Sequence, residues 1–116
     1  MKLDRIAREL SLTDLTPQGD AAGAEVTSGY ASDLLSDVLA HAPAGGVLVT
    51  LQVHLNVIAV ASHAELAAVI FAGGRRPEQD VLDKAAAEGL ALFSAPAGTF
   101  DVVGRLYTLG LKGTDA

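Results

Sequence analysis

The stretch Ala67–Phe100 constrains the fold of this chain more than any other part of the sequence. It opens with an apolar run, Ala67–Phe71, without polar alternation, which is typical of a strand covered on both faces. Gly73-Gly74 ends that run, and Pro77 suits the first turn of a helix. A second apolar run follows at Leu90–Phe93. The stretch therefore predicts a strand, a helix and a second strand, and parallel strands need such a crossover.

The rest of the chain continues this alternation. Helical spacing of apolar residues predicts helices over Lys2–Leu10, Val57–Leu66 and Gly98–Leu109, and one that starts at Ser32 and stops before Pro43, with Leu34, Leu35, Val38 and Leu39 facing inward. Strands are predicted at Leu12–Leu15, Gly23–Val26 and Val47–Leu51, with a turn at Pro17–Asp20. Val57–Val60 alone is also compatible with a strand, and we favour a helix because parallel neighbours need a crossover there. The pattern predicts an α/β fold, a three-layer sandwich with a mostly parallel central sheet and helices on both faces.

Composition narrows the possible functions. The chain has 116 residues, which predicts one domain over residues 1–116, with an N-terminal helix at 1–10 and a frayed tail at 112–116. The formal net charge of -6 argues against a nucleic-acid surface. The absence of cysteine excludes disulfides, thiolate nucleophiles and Cys-based metal sites. The N-terminus is charged and amphipathic, and polar residues interrupt Val47–Phe71, so we expect a cytoplasmic protein without a membrane span.

Four loops are expected to meet at one edge of the sheet, because ligands of open α/β sheets bind at the carboxyl ends of the strands. These loops, here called the loop rim, are Thr27–Ser32, Gln52–Asn56, Ala72–Arg76 and Ser94–Thr99. The candidate ligand-binding residues in them are Thr27, Ser28, Gly29, Tyr30, Ser32, Gln52, His54, Asn56, Gly73, Gly74, Arg75 and Thr99.

Each candidate has a plain structural explanation beside the functional one. The hydroxyls of Thr27, Ser28 and Ser32 could hold an anion at a helix N-terminus, or could simply cap that helix. Arg75-Arg76 could clamp a phosphate or carboxylate, or could form a solvated turn.

Catalytic and metal chemistry have little support in the sequence. His54 follows a central strand and could line a binding surface, whereas His41 and His63 are expected on helix surfaces. Tyr30 could stack on a ligand or lie in a dimer interface. The histidine spacing matches no standard metal pattern, and no phosphate-binding Gly-Lys-Ser/Thr motif occurs, so we predict neither a metal nor a cofactor.

The order of these features resembles the DRTGG domain family. The resemblance is carried by Val69–Gly74, Pro77–Leu92 and Thr99–Leu106, together with Thr27–Asp37. The family occurs inside regulated pyrophosphatases, between nucleotide-binding CBS modules, and in phosphotransacetylase-type proteins, and its fold is similar to the N-terminal domains of HPr kinase and Mur ligases. The resemblance implies a non-catalytic regulatory or dimerisation module. Ala72 stands where relatives commonly have threonine before the two glycines.

Three functions are compatible with this pattern. The first is a homodimeric regulatory or ligand-sensing domain that binds a small anion or nucleotide at the loop rim. The second is an interaction adaptor that docks on a redox enzyme or sensor kinase. The third is a small enzyme that uses His54 as a base.

Overall fold

The computed structural model describes residues 1–16 and 23–113. The predicted turn at Pro17–Asp20 and residues 114–116 of the predicted tail lie outside them. The helices and strands are α1 (Leu3–Glu9), β1 (Thr13–Asp14), β2 (Gly29–Ala31), α2 (Leu35–His41), β3 (Val47–Thr50), α3 (Asn56–His63), β4 (Ala68–Phe71), α4 (Gln79–Glu88), β5 (Ala91–Ser94) and α5 (Thr99–Leu109). Within the described ranges, each helix is too short or too polar to cross a lipid bilayer.

The strands form one sheet in the order β1-β5-β4-β3-β2. Strands β2 to β5 are parallel to one another, and β1 pairs with β5 in the antiparallel direction. Each crossover along β2, β3, β4 and β5 moves to the next strand in the same direction, so these strands contain no reversal of order. The prediction of a mostly parallel sheet is confirmed.

Two apolar cores lie on the two faces of this sheet. Leu48, Val69 and Leu92 face the core formed with α2, α3 and α4. Val49, Ile70 and other residues of the opposite parity face the core formed with α1 and α5. The residues of β3, β4 and β5 are all buried, which explains why their sequences show no polar alternation. The predicted three-layer sandwich is confirmed.

The first parallel strand lies later in the chain than predicted. The strand expected at Gly23–Val26 contributes only an isolated bridge between Glu25 and Lys2. Strand β2 instead starts at Gly29, which pairs with Val47 at the start of β3. Gly29 and Ala31 have low strand propensity and only Tyr30 favours a strand, so pairing with β3 decides this strand more than local preference does.

Two helices expose apolar residues that the sequence spacing groups with the core. In α2 only Val38 is fully buried, whereas Leu34, just before the helix, and Leu39 are exposed. In α5 the buried residues are Val102 and Leu106, so Phe100, Val103 and Tyr107 face outward. The predicted inward stripe of α2 is therefore wrong at Leu34 and Leu39.

Candidate functional site

A cleft of about 520 Å³ opens where β3 and β4 end. Its volume lies within the range of small-molecule sites, about 300–1,000 Å³. One wall is the loop after β3, and the other is the bend after β4 with the start of α4. The lining residues are Leu51, Gln52, Val53, His54, Leu55, Arg75, Arg76, Glu78, Asp80 and Val81. Three predicted site residues, Gln52, His54 and Arg75, therefore lie together in this cleft.

Asp33 holds the loop after β3 in place. Its carboxylate oxygen Oδ1 accepts hydrogen bonds from the backbone N–H of Leu51 (2.7 Å) and the hydroxyl of Thr50 (3.0 Å). The Gln52 side-chain amide donates to the carbonyl of Asp33 (3.2 Å). Thr50 is fully buried, so this carboxylate also satisfies a hydroxyl donor that water does not reach. The Gln52–His54 wall is thus tied to the segment that follows β2.

Hydrogen bonds to β5 and the loop after it fix the bend after β4. Gly73 and Gly74 both have φ near +69°, a left-handed conformation that glycine adopts without strain. Their N–H groups donate to the carbonyls of Ala97 and Ala95, both at 2.7 Å. These two N–H groups are therefore already paired, and the glycines shape the bend that presents the arginines instead of cradling an anion. The buried Ser94 hydroxyl also donates to the carbonyl of Arg75 (2.8 Å).

His54 has one ring nitrogen engaged within its own loop. The backbone N–H of Asn56 donates to His54 Nδ1 at 3.1 Å. A neutral imidazole that accepts at Nδ1 carries its proton on Nε2. In this tautomer the Nε2–H of His54 is a hydrogen-bond donor.

The cleft contains charges of both signs. Arg75 and Arg76 lie on the bend, and Glu78 and Asp80 lie at the start of α4. Within residues 1–16 and 23–113, neither arginine forms an ion pair. Both guanidinium groups therefore keep their capacity for bidentate bonds to phosphate or carboxylate.

Thr27, Ser28 and Gly29 lie at the opposite edge of the sheet from this cleft. The Thr27 N–H donates to the carbonyl of Gly45 (3.0 Å), and the Ser28 carbonyl accepts from Val47 (2.9 Å). Both contacts involve the turn before β3 and the amino end of that strand. The expectation that these residues share an edge with His54 is wrong, because Thr27 and Ser28 precede β2 and Gly29 is its first residue, so all three lie at the amino end of the strand.

Tyr30 and Ser32 belong to a separate polar cluster beside α2. The Tyr30 hydroxyl donates to the Asp37 carboxylate (2.8 Å), and His41 Nδ1 lies 3.2 Å from the other carboxylate oxygen. The bond to Asp37 raises the pKa of Tyr30, and the same bond, with smaller contributions from Ser32 and His41, lowers the pKa of Asp37. The Ser32 hydroxyl accepts from the N–H of Leu34 (3.2 Å).

Two further candidates lie near the carboxyl edge without lining the cleft. Asn56 is the first residue of α3 and is exposed. Thr99 is the first residue of α5, and its hydroxyl is buried with no partner in the described part of the chain. Asn56 contacts His54 through its backbone N–H, but neither Asn56 nor Thr99 lines the cleft.

Several cleft residues are absent from the sequence-based list. Arg76 was recognised only as the second member of a basic pair. Glu78 and Asp80 were interpreted from the sequence as ordinary residues of the first turn of a helix. Their position shortly after β4 was the feature that could have indicated that they line the cleft. The apolar walls Val53 and Leu55 carried no signal, because an apolar loop residue is also explained by the core. Across 1–16 and 23–113, no three histidine or carboxylate side chains are grouped to hold a metal ion.

Comparisons with known proteins identify a solved structure with a similar fold. No protein-family model and no curated protein matches the sequence. A solved structure with the same fold is that of the CBS and DRTGG domains of the regulatory region of Clostridium perfringens pyrophosphatase, complexed with its activator diadenosine tetraphosphate. The TM-score is 0.73 at 14% sequence identity. The chain has a DRTGG-like fold.

This finding confirms the fold implied by the resemblance to the DRTGG family. The match covers 90% of this chain but only 45% of the pyrophosphatase regulatory region, so the chain spans less than half of that structure. At 14% sequence identity the comparison shows a shared fold only. The role of each side chain therefore has to be argued from the contacts within this chain.

Proposed function

We propose that this chain is a regulatory domain that binds a nucleotide or related phosphorylated ligand in the cleft between the loops after β3 and β4. The observation that carries the proposal is the placement of two arginines without ion-pair partners, in the described ranges, next to His54 and Gln52. The fold shared with a regulatory region complexed with diadenosine tetraphosphate supports the same ligand class.

The charge pattern favours a nucleotide over a simple anion. Guanidinium groups at Arg75 and Arg76 and the Nε2–H of His54 suit phosphate oxygens. The carboxylates of Glu78 and Asp80 repel phosphate but accept hydrogen bonds from donors such as the exocyclic amine of a base. The apolar side chains of Val53 and Leu55 give a base or sugar a surface to pack on. A ligand with a phosphate end and an amine-bearing end fits both halves of the cleft.

The test uses thermal shift and calorimetry to measure the binding of inorganic phosphate, AMP, ATP and diadenosine tetraphosphate. We expect at least one nucleotide to raise the melting temperature, since a ligand at 100 times its Kd stabilises a protein by about 2.7 kcal/mol. Arg75→Ala should lower the affinity for that nucleotide by about tenfold or more, because charge-assisted hydrogen bonds contribute about 1.5–3 kcal/mol.

Arg8→Ala is the matched control. It removes the same charge from an exposed position on α1, on the other face of the sheet, and should change affinity by less than about twofold. The proposal fails if no tested nucleotide raises the melting temperature. It also fails if the two arginine variants lose affinity equally, because the effect would then reflect net charge instead of the cleft.

A further inference from the structure

A groove of about 550 Å³ lies between the end of α1 and helix α5, on the opposite face of the sheet from the cleft. This groove, here called the α1–α5 groove, is lined by Glu9 and Leu10 on one side and by residues of α5 from Phe100 to Leu109 on the other. Its volume lies within the range of small-molecule sites, about 300–1,000 Å³. It shares no lining residue with the cleft, so it is a separate candidate site.

Three charged side chains line the α1–α5 groove. Glu9 ends α1, and Asp101 and Arg105 lie one helical turn apart on α5. In the described part of the chain none of the three forms an ion pair, although Lys84 and Glu88, with the same spacing on α4, do so at 3.4 Å. Asp101 and Arg105 therefore present a negative and a positive group to the groove without neutralising each other.

The α1–α5 groove also offers apolar surface and open space. The Phe100 side chain is 91% exposed, so a ligand in the groove could cover its ring. A Cβ atom at Gly104 would have no atom within 4 Å, which leaves room for an apolar group of a ligand above this residue. Leu10 and Leu109 add apolar lining. Burial of an apolar ligand group against these residues would be favourable.

We propose that the α1–α5 groove binds a free α-amino acid with an apolar side chain. The guanidinium of Arg105 binds the carboxylate of the amino acid, and the carboxylates of Asp101 and Glu9 bind its ammonium group. The apolar side chain packs on Phe100 and fills the space above Gly104. This inference goes beyond nucleotide binding in the cleft and does not depend on it.

The charge pattern favours a zwitterion over a simple anion or cation. An anion bound to Arg105 would be repelled by Asp101 and Glu9, and a cation bound to these carboxylates would be repelled by Arg105. An α-amino acid carries both charges on one carbon and satisfies both kinds of group. The Thr108 hydroxyl already donates to the carbonyl of Gly104 (2.9 Å), so among the lining side chains Arg105 is the donor for the carboxylate.

The test measures the binding of L-leucine, L-methionine and L-phenylalanine by calorimetry. At least one of them should bind with a Kd of about 1 mM or lower, which a ligand of this size reaches at an ordinary binding energy per atom. The amine that lacks the carboxylate of that amino acid, and the acid that lacks its amino group, should each bind about tenfold more weakly or worse, because each loses charge-assisted hydrogen bonds.

Three variants locate the site. Arg105→Gln and Asp101→Asn should each lower the affinity for the amino acid by about tenfold or more, for the same reason. Gly104→Leu should abolish binding by filling the groove, without lowering the melting temperature, since the position is open and leucine is favoured over glycine inside a helix.

Lys84→Gln is the control, because it removes a positive charge from α4 on the other face of the sheet and should change the affinity by less than about twofold. The proposal is overturned if none of the three amino acids binds at concentrations up to about 10 mM. Equal affinity for the amino acid and for the acid without its amino group overturns it too. A Gly104→Leu protein that binds the amino acid like wild type would place the ligand elsewhere and reject the groove.

Discussion

At the scale of single residues, Asp33 has the largest consequence for the cleft. One carboxylate oxygen accepts two hydrogen bonds, from the Leu51 backbone and from the fully buried Thr50 hydroxyl. A buried donor that loses its partner costs more than the bond itself contributes, because it no longer has water to replace the acceptor.

Asp33→Ala should therefore lower the free energy of unfolding by about 1–3 kcal/mol. Asp33→Asn is the matched control, because its side-chain oxygen can still accept both hydrogen bonds. In this variant the free energy of unfolding should fall by less than about 1 kcal/mol. Urea unfolding of the three proteins checks the order. Equal stability of Asp33→Ala and wild type would show that Thr50 and Leu51 do not depend on this carboxylate.

At the scale of secondary-structure elements, two glycines with equally open surroundings should respond in opposite directions to alanine. A Cβ at Gly89 or at Gly104 meets no atom within 4 Å. Gly89 ends α4 with φ of 70°, a conformation that costs an alanine about 1–2 kcal/mol. Gly104 lies inside α5, where alanine is favoured over glycine by about 0.5–1 kcal/mol.

We expect Gly89→Ala to lower the free energy of unfolding and Gly104→Ala to raise it, by about those amounts. The measurement is urea unfolding at a concentration at which the chain is monomeric, so that association does not contribute. A shift of the same sign in both variants would contradict the assignment of the backbone conformation at one of the two positions.

The secondary structure that the sequence could predict is the part decided locally. Val47–Thr50, Ala68–Phe71 and the helix after Pro77 combine apolar runs with clear stop signals, and the structure confirms them. Strand β2 was misplaced because two of its three residues, Gly29 and Ala31, have low strand propensity and the strand depends on pairing with β3. The orientation of α5 was hidden for another reason: apolar residues occur on more than one side of it, and only packing decides which side is buried.

The candidate site shows the same division. Gln52, His54 and Arg75 were predictable because each follows a strand whose end was correctly placed. Thr27 and Ser28 were assigned to the wrong edge of the sheet as a direct result of the misplaced strand. The N–H groups of Gly73 and Gly74 donate to carbonyls of the loop after β5. This could not be predicted, because it depends on contacts between residues that are distant in the sequence.

At the scale of the whole molecule, the sheet separates the cleft from helices α1 and α5. The cleft lies beside α3 and α4 on one face, and α5 packs on the other. The parallel strands contain no reversal of order, so the cleft is built by loops instead of by a crevice between oppositely directed crossovers.

The short outermost strands have a consequence for pairing between molecules. β1 offers two residues and β2 three, and at β2 the Gly29 N–H is already bonded to the carbonyl of Lys112. A strand from another molecule would therefore have few free backbone N–H and C=O groups to pair with at either edge of the sheet. Short outermost strands of this kind are one of the ways in which proteins limit edge-to-edge pairing between molecules.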